Sequence, residues 1–361
     1  MSRTSIDELL RITVERDGSD LHMKAGSRPL VRIYGDLMPI DEMPALSSDE
    51  VRELADSVMS DSQKKRFESE WELDLAYVIE GVARFRCNVF IQRGHVGIVF
   101  RVIPMKIQSM EELMLPPICR YFAERPRGLV LVTGPAGCGK STTQAAMIDY
   151  INKSRPEHVV TVEDPVEFLH EDIQCVINQR ELETDTLSFA NALKYVLRQD
   201  PDVILIGEMR DLETIHLAIT AAETGHLVFG TLHTPDAVQT VDRVIDVFPM
   251  HQQQEVRMQL AVNLLGVISQ TLIKRRGRKG RVAAFETLVA VPAIRNLIRE
   301  SKTFQIGSMI QTGAKQGMMT LDQYLADLVK KGIVDLAEAR MKCSSVREFA
   351  ALLEEVQPQP A

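Results

Sequence analysis

Ile6, Leu9, Leu10 and Thr13 recur at helical spacing, which predicts a helix over Ile6–Arg16 that stops at Gly18-Ser19-Asp20. The pattern then shifts to alternating or β-rich runs. Leu30–Gly35, Leu73–Ile79, Val82–Gln92 and, after a turn at Arg93-Gly94, Val96–Ile103 read as strands, so residues 1–105 form an α+β domain. Pro104, Pro116, Pro117 and Pro126 punctuate the next stretch, predicting a linker over 106–126 with a short helix between the prolines. From Arg127 short continuous apolar runs, "GLVLVT", "HVVTVE", "DVILIG" and "HLVFGTLH", alternate with longer helical stretches such as Ser141–Asn152. Strands buried on both faces need such runs, so a mostly parallel sheet covered by helices is expected over 127–290. A helical region over 291–355 includes Leu321–Gly332 and Arg347–Val356, and 356–361 is expected to fray.

A length of 361 residues agrees with two domains, each able to bury a core. No apolar run exceeds five residues, which predicts no membrane span, and the acids among the first eight residues do not read as a secretory signal. The expected location is cytoplasmic. A net charge of −8 repels polyanions at long range and argues against a general nucleic-acid binder. Cys87, Cys119, Cys138, Cys175 and Cys343 contain no C-x-x-C pair, which excludes the usual zinc spacing and fits a reducing compartment.

The chemistry concentrates at Gly134, Pro135, Ala136, Gly137, Cys138, Gly139, Lys140, Ser141 and Thr142. They match G-x-x-x-x-G-K-[ST] with a strand before and a helix after. Glycines let successive N–H groups turn toward phosphate oxygens at the positive end of a helix. Lys140 is expected to bridge the β- and γ-phosphates of ATP, and Ser141 to hold Mg²⁺. Hydrolysis also needs carboxylates at neighbouring strand ends. Glu163 and Asp164 follow "VVTV", and Glu208 follows "VILIG". His226 and His233 bracket "LVFGTL" beside Thr231 and Thr234; they are either satisfied structural histidines or sensors of the γ-phosphate.

Four boxes stand in one order: "GPAGCGKST", "TVEDPVEF", "RQDPDVILIGEMRDLET" and "TGHLVFGTLHT". The chain thereby resembles the secretion ATPase superfamily, with its Walker A, Asp, atypical Walker B and His boxes. "GSDLH" (Gly18–His22), "VISQTLIK" and "PAIRNLIRE" extend the similarity, over nearly the whole chain, to the branch that retracts type IV pili. The resemblance implies a PAS-like N-terminal domain and a RecA-like P-loop ATPase domain with C-terminal helices. It implies that Glu163 polarises the attacking water, that Glu208 acts with it through Mg²⁺, and that His226 and His233 are the His-box histidines, with Arg243 just beyond. It further implies a homohexamer, an inner-membrane pilus platform protein and a paralogous retraction ATPase as partners, and peripheral association with the inner membrane at the pilus base. Family members bring N-terminal arginines to the nucleotide. Arg84, Arg86, Arg93 and Arg101 match that segment, and Arg86 and Arg101 are the candidates, although cations on an open sheet face are ordinarily solvated.

The phosphate loop departs from the family at Ala136 and Cys138. A thiol at a helix N-terminus is expected to ionise more readily, which would make Cys138 oxidisable. Residues 292–300 match the retraction-type helix. By periodicity Ile294, Leu297 and Ile298 form one apolar stripe and Arg295, Asn296, Arg299 and Glu300 face elsewhere, a helix packed on a core. The resemblance implies instead that Ala293, Ile294, Arg295, Asn296, Leu297, Ile298, Arg299 and Glu300 form an effector helix tied to retraction rather than to nucleotide turnover. "KRRGRKGR", Lys274–Arg281, reads as a solvated turn or as a contact for an acidic partner at the pilus base. Assembly and type II secretion ATPases are the alternative, and a low-turnover scaffold subunit of the ring is another. Members of the assembly group commonly carry a tetracysteine motif and a longer N-terminal region, both missing from these 361 residues.

Overall fold

The computed structural model describes residues 5–103, 106–277 and 280–354. Pro104, Arg278, Lys279 and the segment 356–361 lie outside the described residues. The chain divides into two compact units, Met1–Lys106 and Ile107–Ala361.

The first unit runs α1 (Ile6–Glu15), β1 (Gly18–Lys24), β2 (Leu30–Ile33), β3 (Asp36–Pro39), α2 (Ser48–Val58), α3 (Asp61–Glu70), β4 (Glu72–Ile79), β5 (Ala83–Gln92) and β6 (His95–Ile103). Its sheet is six-stranded and antiparallel, in the order β3-β2-β1-β6-β5-β4. Alternation along β5 buries Ala83, Phe85, Cys87 and Val89 with Leu9, Leu10 and Phe100, and leaves Arg84, Arg86 and Asn88 on the other face. The tripeptide Gly18-Ser19-Asp20 does stop the helix, and it also opens β1, because Asp17 takes φ 54° and turns the chain back. Helices α2 and α3 are additions to the elements expected from the apolar pattern. Both start with capping boxes, Ser47 with Glu50 and Ser60 with Gln63, a signal legible as S-x-x-E and S-x-x-Q.

The second unit begins with α4 (Pro117–Ala123), β7 (Gly128–Thr133), α5 (Lys140–Ser154), β8 (His158–Glu163), β9 (Val176–Glu181), α6 (Phe189–Val196), β10 (Val203–Ile206), α7 (Leu212–Glu223) and β11 (Leu227–Leu232). It continues with α8 (Ala237–Asp246), α9 (Met250–Asn263), β12 (Leu264–Lys274), β13 (Arg281–Val289), α10 (Pro292–Arg299), α11 (Ile306–Thr312), α12 (Leu321–Lys330), α13 (Leu336–Arg340) and α14 (Val346–Glu354). The sheet order is β13-β12-β7-β11-β10-β8-β9, parallel except for the β12–β13 hairpin. β7, β10 and β11 are buried along their whole length, as continuous apolar runs require. The expected α/β class, with an α+β first unit, is the one observed.

Of the linker expected over 106–126, residues 107–126 belong to the second unit, and the short helix expected between the prolines is α4. Pro117 starts α4, and Ile118, Cys119, Phe122 and Ala123 enter the main core. Gly266 has no side chain because a Cβ there would meet the Phe122 ring at 2.2 Å. A smaller core joins Leu325, Leu328 and Phe349 of the last helices to Ile273, Val282 and Ala284 near the hairpin tip. At that tip Arg276 donates its N–H to Ile333 O at 2.8 Å and its side chain pairs with Asp335 at 3.1 Å, so the basic turn is partly tied down within the chain.

Candidate active site

All strands from β12 to β9 point the same way, so the segments leaving β7, β11, β10 and β8 meet at one edge of the sheet. Each delivers one polar group there: Lys140, His233, Glu208 and Glu163.

The phosphate loop follows β7. Gly134, Gly137 and Gly139 take φ of 137°, 72° and 93°, a curl open to glycine and costly for other residues. At Gly134 the backbone also comes so close to β12 that a Cβ would lie 2.2 Å from Gln270 O. α5 starts at Lys140 with Gly139 as N-cap and no side-chain cap, so its first N–H groups are left for an anion. Pro135, Ala136 and Gly137 are exposed at the rim, and Ser141 and Thr142 are half-buried in the first turn. Lys140 Nζ donates to Gly134 O at 2.9 Å and Pro135 O at 3.3 Å, and lies 3.4 Å from His233 Nδ1.

His233 links this cation to a carboxylate, because its Nε2 lies 2.9 Å from Glu208 Oε1. Nδ1 faces an ammonium group that can only donate, so the tautomer protonated on Nε2 satisfies both contacts. Arg210 Nε holds the same Glu208 oxygen at 2.6 Å. Burial works to raise the Glu208 pKa, but the hydrogen bond and charge of Arg210, with the hydrogen bond from His233, outweigh it and hold the carboxyl below its ordinary value. Glu163, one strand away, behaves oppositely. Burial pushes its pKa up, against the hydrogen bonds it accepts from Thr161 Oγ1 at 2.7 Å and Gln179 Nε2 at 3.2 Å. Gly207 allows the two strand ends to meet, since a Cβ there would come within 3.0 Å of the Glu163 Cα. Two carboxylates with opposite shifts at one edge suit different roles, one a fixed anion and the other a proton acceptor.

Other expectations are corrected. His226 is not brought to this edge. It precedes β11, so a six-residue strand, about 20 Å at roughly 3.3 Å per residue, separates it from His233. There its Nδ1 satisfies Ala221 O at 2.8 Å, a structural role closing the turn after α7. Cys138 is 3% exposed, and burial raises its pKa despite the neighbouring Lys140 charge and backbone N–H groups. Burial therefore works against the reactive thiolate expected at this position.

Arg86 and Arg101 are cross-strand neighbours on the open face of the first unit. Neither is simply solvated. Arg86 pairs with Asp74 at 3.3 Å and Arg101 with the buried Asp20 at 2.9 Å, around a recess of about 340 Å³.

In α10, Ile294 and Ile298 are buried, Leu297 is half-buried, and Ala293, Asn296, Arg299 and Glu300 are exposed. Arg295 departs from expectation. Its guanidinium turns inward and donates to Ala290 O at 2.7 Å, Val262 O at 2.9 Å and Leu264 O at 3.4 Å, pinning α10 to the end of α9 and the start of β12. These contacts lie at the sheet edge opposite the phosphate loop. Arg295→Ala removes three bonds from a charged donor to carbonyls that are part-buried or exposed, so it should cost about 1.5–3 kcal/mol in chemical denaturation. The exposed Arg299→Ala should stay within about 0.5 kcal/mol. Equal small losses would remove the pinning role.

Among the described residues no group of three or more His, Cys, Asp or Glu side chains could hold a metal, and no helix is long and apolar enough to cross a membrane. Comparison with known proteins places the arrangement. The type II/IV secretion system protein family matches residues 98–341. The type IV pilus retraction ATPase PilT of Pseudomonas aeruginosa is 52% identical over 95% of this chain and 99% of its own length. A twitching motility protein of Neisseria gonorrhoeae is 51% identical over 94% of this chain and 91% of its own. The crystal structure of a pilus retraction motor PilT with bound ADP superposes with a TM-score of 0.89 at 44% identity, covering 96% of this chain and 99% of that one. The chain belongs to the type II/IV secretion system protein family, and within it to the PilT group.

Proposed function

We propose that this chain is an ATPase motor that couples ATP hydrolysis to retraction of type IV pili. The observation that carries the reading is the convergence of Lys140, His233, Glu208 and Glu163 on one sheet edge beside an uncapped helix start, in a chain 52% identical to a retraction ATPase. The loop from Gly134 to Thr142 wraps the phosphates, and Lys140 exchanges its carbonyl partners for β- and γ-phosphate oxygens. Ser141 and Glu208 suit Mg²⁺, which takes few protein oxygens beside phosphate and water. When bound, the ion neutralises charge developing on the phosphate oxygens. Glu163 accepts the proton of the attacking water, and His233, tied to Glu208, faces the γ-phosphate. Arg86 and Arg101 are the candidates for an arginine finger, and each would have to leave its partner, Asp74 or Asp20, to act as one; such a finger is worth about 10³–10⁵ in rate.

The working form is a homohexameric ring, closed by head-to-tail interfaces. Its partners are an inner-membrane pilus platform protein, through which the motor acts on the pilus, and a paralogous ATPase. Deletion followed by imaging of surface pili tests the reading. Pili that persist without shortening are expected; cells lacking pili would point to assembly, and normal retraction would overturn it.

A further inference from the structure

The phosphate loop leans on one residue of the adjacent strand. Gln270 follows Ser269, which pairs with Thr133 at the end of the loop strand. Its side chain is almost fully buried, and both ends of the amide are engaged. Nε2 donates to Cys138 O at 2.7 Å, while Oε1 accepts from Thr143 Oγ1, in the first turn of α5, at 2.8 Å. Its backbone carbonyl abuts Gly134, and a Cβ on Gly139 would lie 3.2 Å from Nε2. One residue thus touches the beginning, middle and end of the loop and the helix that succeeds it.

The contact bears on phosphate binding through peptide geometry. The carbonyl of Cys138 and the N–H of Gly139 belong to one planar trans unit and point in opposite directions. Fixing the carbonyl against β12 therefore turns that N–H away from the strand, toward the mouth of the loop. We infer that Gln270 is a positioning residue for the nucleotide, holding the Cys138 carbonyl inward so that the Gly139 N–H is presented to phosphate. This rests on the reading of Gly134–Thr142 as a nucleotide site.

The test compares the full-length parent chain with Gln270→Met, which keeps length and loses both hydrogen-bonding ends. Affinity is measured with a fluorescent ADP, and steady-state ATP hydrolysis is followed in parallel. The Kd for ADP and the KM for ATP should rise about tenfold, the size expected when a buried carbonyl loses its partner, with kcat falling by less than KM rises. Partial misfolding would act otherwise, lowering kcat through fewer active molecules and leaving KM in place. Gln270→Glu keeps the test open if the methionine variant does not fold. Its protonated carboxyl offers one donor and one acceptor, and its ionised form only acceptors. ADP affinity in that variant should therefore weaken with rising pH more steeply than in the parent. Folded Gln270→Met binding ADP within twofold of the parent, or Gln270→Glu with the parent's pH profile, would overturn the inference. A parent chain that binds no ADP would instead overturn the nucleotide reading itself.

Discussion

Glu163→Gln should lower kcat for ATP by about 10²–10⁴, the range that a positioned general base contributes, while ADP affinity changes less than about threefold. The amide keeps the carboxylate's shape and can still accept from Thr161 and Gln179, so the strand end should hold its place. What it cannot do is take a proton from water. The pH profile supplies an independent sign. Burial lifts the Glu163 pKa above its ordinary value, and the base works only when ionised. Parent activity should then fall with acidification through a midpoint above that of an ordinary glutamate, and the residual activity of the variant should lack this limb. Stability should move the other way. A carboxyl whose folded pKa is raised destabilises the fold at every pH above its unfolded pKa, increasingly until it is ionised in the folded state as well. Glu163→Gln should therefore be no less stable than the parent at pH 7–8 in thermal denaturation. Unchanged kcat would favour a scaffold subunit whose own turnover matters little.

The parts of this site that are legible in the sequence are those set by local chemistry. The glycines and Lys140 follow from what a phosphate demands of a backbone, and β7, β8, β10 and β11 from runs that only a doubly covered strand can hide. Parallel pairing then places Glu163 and Glu208 at one edge without further information. The misread residues depend on direction or on tertiary partners. His226 and His233 look equivalent as flanks of one apolar run, yet a strand has two ends and only its C-terminal end meets the phosphate loop. Cys138 sits beside a helix start, as its position in the motif says, but the strand that buries it lies more than a hundred residues further on, where Gln270 closes over the loop. Arg295 faces away from the apolar stripe by periodicity, and its partners are carbonyls at the end of α9 and the start of β12, invisible to any local rule. The prolines of 106–126 look like punctuation, whereas Pro117 opens α4 in the first turn, where a missing N–H costs nothing.

Lys140→Met should separate binding from folding in a single variant. The ammonium group touches two loop carbonyls, at 2.9 Å and 3.3 Å, so it is already at the place where phosphate charge would arrive. At an effective dielectric constant of about 20, two unit charges about 4 Å apart gain roughly 4 kcal/mol. Counting the loss of carbonyl partners on binding, the net should be about 3–4 kcal/mol, or about 10²–10³ in ADP affinity. Methionine preserves the unbranched stem. Lys140 is half-exposed, and the carbonyls it leaves can turn to water, so the ligand-free chain should lose less than about 1 kcal/mol. The expected record is a thermal midpoint within a few degrees of the parent without nucleotide and, with ADP at a concentration that saturates the parent, no further rise. Because the lost energy is electrostatic, the gap between parent and variant should also narrow as salt is raised. A variant that binds ADP within tenfold of the parent would move the phosphate site away from the Gly134–Thr142 loop.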